Sequence, residues 1–296
     1  MKVINKMNLG KVALVTGASK GLGRCIAETL ASHGIKVVAC ARNEEQLKSL
    51  SQELKQKNAH LDPVKCDMED VTQILALFKY IFDNYGTLHI CVNNAGVSFP
   101  DFFLPNEPIK DAKSLYGSEV KSRTDMYDRW LTTLRVNVLA LSICCKEALN
   151  LMVATGSKNG IIINVSSIVG KQVILCPVGK EGPNDTYIHI YEATKFAVST
   201  ISQLIRLEIQ SKHLEAHGIR ILNLCPGWIK TNFADRILQV TSGNNQKDAP
   251  SNEIDFFKDI EHLDPRDVCD ALMTAIACPY EVQIDEIILK AVKKSS

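Results

Sequence analysis

The stretch KVALVTGASKGLG, residues 11–23, joins a short apolar run to a glycine-rich turn and then to the beginning of an amphipathic segment. Glycines let a backbone turn sharply and approach a pyrophosphate closely, and the following helix N-terminus offers free N–H groups with a partial positive charge. The spacing G-x-x-x-G-x-G differs from the more common G-x-G-x-x-G. A tight connection without a ligand is the alternative, but the strand–turn–helix context favours a dinucleotide site. The turn residues predicted to contact the dinucleotide are Gly17, Ser19, Lys20, Gly21, Leu22 and Gly23.

The rest of the chain alternates apolar runs of strand length with segments of helical periodicity. This order implies a parallel sheet with helices on both faces. The predicted fold class is therefore α/β: a single doubly wound, Rossmann-type domain of about seven strands over residues 1–296. The predicted strands are Lys11–Thr16, Lys36–Cys40, Leu61–Cys66, Leu88–Val92, Gly160–Val165, Gly218–Cys225 and Gln283–Leu289. The predicted helices are Gly21–His33, Asn43–Lys57, Val71–Tyr85, Trp130–Val153, Tyr191–His213 and Pro265–Ala277.

Three irregular stretches interrupt this alternation: Ser98–Asp128, Lys171–His189 and Thr241–Asn252. The first two follow strands, so they begin at the carboxyl edge of the sheet, where open α/β sheets bind ligands. The third is polar and is predicted to be a surface loop.

The composition excludes several classes of protein. The 296 residues are 46% apolar and 23% charged, the balance of a globular protein with a sizeable core. Lys and Arg number 34 against 33 Asp and Glu, a net charge of +1, so no nucleic-acid partner is expected. A mean hydropathy of −0.01 and the lack of a long charge-free apolar run predict no membrane-spanning helix.

The cysteines indicate a compartment rather than a metal site. The ten cysteines include no C-x-x-C pair, so no metal is expected. Cys40, Cys66, Cys91 and Cys225 lie in or beside apolar runs, where a thiol acts as a small hydrophobe. Met1–Leu9 lacks the apolar core of a signal peptide. A reducing compartment, most simply the cytoplasm, is expected.

Two asparagine motifs follow the glycine-rich turn in the chain. Asn93–Gly96, NNAG, comes directly after a predicted strand, and taken alone it is a polar strand exit. Asn137 lies inside a predicted helix between Val136 and Val138. Such an asparagine is expected to be buried and to need hydrogen-bond partners.

Tyr191 and Lys195 form a Y-x-x-x-K pair on a predicted helix. Four residues apart, the two side chains share one helix face about 6 Å apart. An ammonium at that range is expected to lower the pKa of the phenol from about 10, so that Tyr191 could donate a proton to a carbonyl oxygen near neutral pH. A surface pair is the alternative, because the pattern is common by chance. Tyr187 has no lysine four residues later.

Two further strand exits carry candidate residues. Ser167 closes NVSS, residues 164–167, where it could hold a substrate oxygen or equally cap a turn. Residues 226–231, PGWIKT, follow the next strand with an ordinary turn signal at the same sheet edge.

Together, and in this order, these motifs resemble the short-chain dehydrogenase/reductase family over nearly the whole chain. The resemblance implies that Tyr191 is the general acid/base and that Lys195 lowers its pKa and binds the nicotinamide ribose. It implies that Ser167 orients the carbonyl and that Asn137 holds a water in a proton relay. PGWIKT would contact the nicotinamide carboxamide. The further cofactor contacts it implies are Arg42, Asn43, Asp67, Met68, Asn94, Ala95, Gly96, Tyr191, Lys195, Pro226, Gly227, Ile229 and Thr231, with Asp67 and Met68 bordering the adenine.

The second strand indicates NADP(H) rather than NAD(H). An acidic residue at its end binds the ribose hydroxyls in NAD enzymes and repels a 2′-phosphate. Here Ala41 stands at that position and Arg42 follows, whose planar fork suits a phosphate. Lys20 brings a second cation to the same corner. Solvated surface charges are the alternative reading.

The chain departs from the family pattern in two places. Ser167 and Tyr191 are 24 positions apart, a wider gap than usual, so an insertion over Gln172–Ile188 is expected. Phe102–Tyr127 is a second insertion. Both flank the expected substrate cleft, where they would form a lid or wall, or else point into solvent as harmless loops.

The resulting functional prediction is an NADPH-dependent carbonyl reductase that transfers hydride to a hydrophobic ketone or aldehyde, a steroid-like one being an option. An NADP-dependent dehydrogenase of an isoprenoid or other apolar alcohol is the alternative. A non-catalytic NADPH-binding scaffold would lack the tyrosine, lysine or serine, and all three are present. A homodimer or homotetramer is implied by the resemblance, and the apolar face of Trp130–Val153 is compatible with it.

Overall fold

One seven-stranded parallel sheet organises the computed structural model, which describes residues 10–101, 103, 120–174, 188–212, 218–231, 233 and 261–292. The strand order is β3-β2-β1-β4-β5-β6-β7, so the chain winds outward from β1 in both directions. The strands are β1 Val12–Thr16, β2 Lys36–Ala41, β3 Leu61–Lys65, β4 Ile90–Asn93, β5 Ile161–Val165, β6 Arg220–Pro226 and β7 Glu286–Leu289. The described α-helices are α1 Gly21–Ser32, α2 Glu44–Lys55, α3 Val71–Tyr85, α4 Val120–Leu134, α5 Leu141–Ala154, α6 His189–Ser211 and α7 Pro265–Ala277.

The doubly wound α/β prediction is confirmed, because helices cover both faces of the sheet. Ile26 of α1, Leu50 of α2 and Leu272 of α7 are buried in one layer of core. Leu77 of α3 and Cys144 of α5 are buried in the layer on the opposite face. The central strands are apolar on both sides for this reason, which is why each reads in the sequence as a continuous apolar run.

Local capping explains where several helices begin and end. The Asn43 side chain accepts a hydrogen bond from the Gln46 backbone and begins α2. The Asp70 side chain accepts hydrogen bonds from the backbone N–H groups two and three residues later and begins α3. Gly86, in the left-handed region, ends α3. Asp264 and Asp267 form a capping box at α7. Each cap satisfies backbone groups that a helix terminus leaves without partners.

The predicted helix Trp130–Val153 differs in the structure. It begins ten residues earlier, at Val120, and a π-helical segment, Arg135–Ala140, separates α4 from α5. The irregular stretch Ser98–Asp128 and the insertion Phe102–Tyr127 therefore end in regular helix. The periodicity is weak there because the segment VKSRTDMYD is mostly polar.

Among the described residues, the same region contains one run that bears on the expectation of no membrane-spanning helix. By length and composition alone, the 31-residue run Thr124–Ala154 could span a membrane. In the fold, Val136, Leu141, Ala148 and Met152 of this run are buried in the core. Packing against the sheet and α3 thus accounts for part of its apolar character.

Most of the predicted insertions and the predicted loop Thr241–Asn252 lie outside the described residues. Helix α6 begins at His189, two residues before the predicted start at Tyr191. The irregular stretch predicted over Lys171–His189 therefore ends one residue earlier.

Candidate active site

A cavity of about 380 Å³ opens at the carboxyl edge of the sheet. It lies where the chain leaves β1, β4, β5 and β6, the edge at which ligands bind in open α/β folds. All of the cofactor residues expected from the sequence line it: Gly17, Ser19, Lys20, Gly21, Leu22, Gly23, Arg42, Asn43, Asp67, Met68, Asn94, Ala95, Gly96, Tyr191, Lys195, Pro226, Gly227, Ile229 and Thr231. Ser167 lines it as well. Residues distant in the chain thus share one concave site.

The glycine-rich turn after β1 has no room for side chains at two positions. Gly17 has a φ of +67°, and a Cβ there would lie 2.8 Å from the Ala95 Cα. A Cβ on Gly23 would lie 2.3 Å from the Asn94 Nδ2 and 2.4 Å from the Gly17 carbonyl oxygen. The glycines therefore keep the turn closed against the β4 exit, and this leaves its backbone exposed to the cavity.

The NNAG segment holds this turn in place. The Asn94 Nδ2 donates to the carbonyl oxygens of Thr16 and Gly17 at 3.0 and 3.3 Å. In return, the buried Thr16 Oγ1 accepts from the backbone N–H groups of Asn94 and Ala95 at 3.1 and 3.0 Å. Asn94 thus lines the cavity while its amide nitrogen supports the glycine-rich turn.

Tyr191 and Lys195 project from the first turns of α6 into the cavity. The Lys195 Nζ lies 5.4 Å from the centre of the Tyr191 ring, within cation–π range. It also donates a 2.8 Å hydrogen bond to the Val165 carbonyl oxygen at the end of β5. The lysine side chain is only 5% exposed, so this bond fixes a buried amine at the sheet edge.

The prediction that the Tyr191 pKa is lowered is wrong. Burial, followed by the neighbouring Glu192 carboxylate, raises the pKa of the Tyr191 phenol above its ordinary value. Burial also lowers the pKa of Lys195, to about 8. Desolvation disfavours the charged form of both groups. Near neutral pH the phenol therefore keeps its proton.

Ser167 caps a turn, which is one of the two roles that its sequence position allows. Its Oγ accepts from the Val169 backbone at 3.3 Å and begins the 3-10 turn Ile168–Gly170. The preceding Ser166 Oγ donates to the Lys195 carbonyl oxygen at 3.0 Å. The β5 exit is thereby fastened to the catalytic helix on the side of Lys195.

Asn137 lies behind the cavity rather than in its lining. It is 1% exposed, on the π-helical segment. Its Oδ1 accepts from the Val97 N–H at 2.8 Å, and its Nδ2 donates to the Val97 carbonyl oxygen and to the Thr194 Oγ1. These three hydrogen bonds use both the oxygen and the nitrogen of the Asn137 amide. The π-helical bulge turns this side chain toward the β4 exit, as such bulges often do at functional sites.

The corner after β2 carries the expected cation. Arg42 is exposed at 59% of its side chain, and its Nη1 lies 3.9 Å from the Glu69 Oε1. Ala41, at the end of β2, adds no carboxylate. Lys65 ends β3 beside Ala41 and lines a second hollow with Arg42. The residues present thus fit a dinucleotide.

The family assignment follows from comparison with known proteins. The family model described as short chain dehydrogenase matches residues 11–241. The chain belongs to the short-chain dehydrogenase family. It is therefore an oxidoreductase that binds NAD(P) and acts on CH–OH and C=O groups.

Two curated relatives match this short-chain dehydrogenase over nearly its whole length. Dehydrogenase/reductase SDR family member 11 of Gallus gallus is 30% identical over 289 residues, 97% of this chain and 98% of the relative. The farnesol dehydrogenase of Aedes aegypti is 29% identical over 287 residues, 96% of each chain.

Solved structures share the fold of this short-chain dehydrogenase. A variant of the actinorhodin polyketide ketoreductase with NADPH has a TM-score of 0.71 at 24% identity, with 95% of this chain and 96% of the other covered. A short-chain dehydrogenase/reductase of Burkholderia phymatum in complex with NAD has a TM-score of 0.71 at 23% identity, with 95% and 89% covered.

Several apolar residues of the cavity in this short-chain dehydrogenase were not predicted from its sequence. Val97, Ile188 and Phe233 line it, and the Phe233 ring centre lies 5.7 Å from that of Tyr191. Val97 and Ile188 fall beside or in irregular stretches and Phe233 follows PGWIKT, and no periodicity singles them out. Trp228 also lines it, and its place inside PGWIKT could have identified it.

Proposed function

We propose that this short-chain dehydrogenase is an NADPH-dependent carbonyl reductase of hydrophobic ketones or aldehydes, steroid-like ones among them. The observation that carries the proposal is Tyr191, whose phenol lines the dinucleotide cavity with the Lys195 Nζ 5.4 Å from its ring centre. Reduction of a carbonyl needs such a proton donor at the oxygen. Val97, Ile188 and Phe233 give the same cavity an apolar wall.

In this mechanism the bound NADPH supplies hydride to the carbonyl carbon. Tyr191 donates its proton to the carbonyl oxygen as negative charge develops there, and Ser167 orients that oxygen. Lys195, held by the Val165 carbonyl oxygen, places an amine beside the phenol and is proposed to bind the nicotinamide ribose. Asn137 keeps Val97 and Thr194 in position.

Oxidation of an apolar alcohol is the second candidate, favoured by the likeness to a farnesol dehydrogenase. It would use the same residues, with Tyr191 accepting the alcohol proton instead of donating one. The test is turnover in both directions with one ketone and its alcohol at pH 7. Reduction with NADPH should be faster than oxidation with NADP⁺. Faster oxidation would favour the dehydrogenase, and NADPH binding with no turnover would favour the scaffold.

Arg42→Asp tests the cofactor preference. We expect about tenfold weaker NADPH binding and tighter NADH binding, because a carboxylate replaces a cation where the 2′-phosphate is proposed to bind. Lys48→Asp on α2 is a control, because Lys48 is an exposed lysine that pairs with Glu44 and does not line the cavity. Comparable kcat/KM for NADH and NADPH in the unmodified protein would contradict the preference.

The assembly is proposed to be a homodimer or homotetramer of chains that each form one domain over residues 1–296. Leu131, Leu134 and Leu139 on the α4–α5 run and Leu204 and Leu207 on α6 are all at least 44% exposed. An apolar surface of this kind is typical of an interface between subunits. A monomer in sedimentation experiments at micromolar concentration would contradict the proposal.

A cytoplasmic location is also proposed. The nine cysteines within the described ranges are all free thiols, as expected in a reducing compartment. Fractionation of cells that express the tagged protein tests this, and recovery of the protein in a secreted fraction would contradict it.

A further inference from the structure

We propose that Asp101 is a positioning residue for the reaction, because it caps the N-terminus of the helix that carries Tyr191. Asp101 is only 3% exposed although it lies at the end of the described β4 exit. Its Oδ1 accepts a 2.6 Å hydrogen bond from the His189 N–H, and its Oδ2 accepts a 2.9 Å bond from the Ile190 N–H. These are the first two residues of α6, and Tyr191 is the third.

The residue that directly precedes the helix does not provide this cap. The residue at the N-cap position is Ile188, which makes no side-chain hydrogen bond to the first turn. The first N–H groups of a helix lack partners within the helix, and burial without a partner is costly. A carboxylate that bonds two of them also interacts favourably with the positive end of the helix. Asp101 supplies this cap from 88 positions away in the sequence.

A second set of hydrogen bonds joins the β4 exit to α6, at a residue that follows Tyr191. Asn137 bonds both backbone groups of Val97 and reaches the Thr194 Oγ1. Thr194 in turn donates to the Tyr191 carbonyl oxygen at 2.6 Å. The β4 exit is therefore fastened to α6 both before and after Tyr191. The position of the phenol relative to the cavity depends on both sets of hydrogen bonds.

The location of the cap explains how the chain accepts its two departures from the family pattern. Asp101 is the last residue before the insertion Phe102–Tyr127, and His189 is the first after the insertion Gln172–Ile188. A bond between these two residues joins the points where the insertions leave and return. The bond therefore holds the first residue of α6 beside the end of the β4 exit. The inference rests on the proposed role of Tyr191 as proton donor.

Two substitutions of Asp101 test the inference. Asp101→Ala removes both acceptors, and we expect kcat for carbonyl reduction to fall about tenfold while the Kd for NADPH stays within twofold, because small displacements of a catalytic group cost rate. Asp101→Asn keeps one acceptor oxygen and should recover part of the loss. If the alanine variant does not fold, Asp101→Asn still tests the inference. Hydrogen–deuterium exchange at the His189 and Ile190 amides should become at least tenfold faster in Asp101→Ala.

Asp70→Ala is the matched control, because Asp70 caps α3 through the backbone N–H groups of Thr72 and Gln73. It should lower the thermal midpoint by about 2 to 4 °C, as the loss of a cap does, and leave kcat within twofold. Equal losses of kcat in Asp70→Ala and Asp101→Ala would overturn the inference, as would unchanged exchange in Asp101→Ala. Full turnover of Tyr191→Phe would instead overturn the proposed function, and the exchange measurement would still decide the cap.

Discussion

Replacement of Tyr191 by phenylalanine is expected to lower the turnover of a good carbonyl substrate at least 10²-fold. The change removes the hydroxyl proton and leaves the ring, whose contact with Phe233 is retained. General acid catalysis contributes roughly 10²- to 10⁴-fold to enzymatic rates. The Kd for NADPH, measured by fluorescence of the bound nicotinamide, should change by less than about threefold because the cavity keeps its shape.

Tyr280→Phe is the control for this substitution. Tyr280 is 52% exposed and lies beside Gly218, away from the cavity lining. The turnover of the Tyr280→Phe protein should equal that of the unmodified protein. A Tyr191→Phe protein that retains near-normal turnover would show that another group donates the proton.

Gly23→Ala is expected to weaken NADPH binding roughly 10- to 100-fold. The added methyl group would lie 2.3 Å from the Asn94 Nδ2 and 2.4 Å from the Gly17 carbonyl oxygen, so the glycine-rich turn must move. Overpacking of this kind costs about 1–3 kcal/mol, which corresponds to that loss of affinity if the turn binds the pyrophosphate. Equilibrium titration with NADPH measures the effect, and circular dichroism shows whether the variant remains folded.

Gly86→Ala separates a loss of affinity from a loss of stability. Gly86 ends α3 with a φ of +70° and has nothing within 4 Å of an added Cβ. The variant should be less stable by about 1 kcal/mol and should bind NADPH normally. An unchanged Kd for NADPH in folded Gly23→Ala protein would contradict the placement of the pyrophosphate at this turn.

The sheet could be predicted because its central strands are buried on both faces. Runs such as VALVT in β1 and IIINV in β5 have few other uses than the centre of a parallel sheet. The glycine-rich turn and the Tyr191–Lys195 spacing are local patterns. Their residues are neighbours in the sequence, and the order of the strands brings them to one edge.

Features that depend on distant parts of the chain could not be predicted in this way. Asp101 reads as an ordinary charged residue of an irregular stretch, since its partners come 88 positions later. The role of Asn137 depends on a π-helical bulge that no periodicity indicates. The direction of the Tyr191 pKa shift depends on burial and on the Glu192 carboxylate, whereas helix geometry alone gives only the spacing of Tyr191 and Lys195.

Transfer of deuterium from NADPH that carries deuterium at both positions of the nicotinamide C4 tests the central claim most directly. The unmodified protein would be incubated at pH 7 with labelled NADPH and a panel of hydrophobic ketones and aldehydes that includes steroids. Mass spectrometry then measures deuterium in the alcohol products. The account predicts at least one alcohol with a single deuterium on the former carbonyl carbon, formed more slowly with NADH and at least 10²-fold more slowly by Tyr191→Phe. Tight NADPH binding with no labelled alcohol across the panel would contradict it.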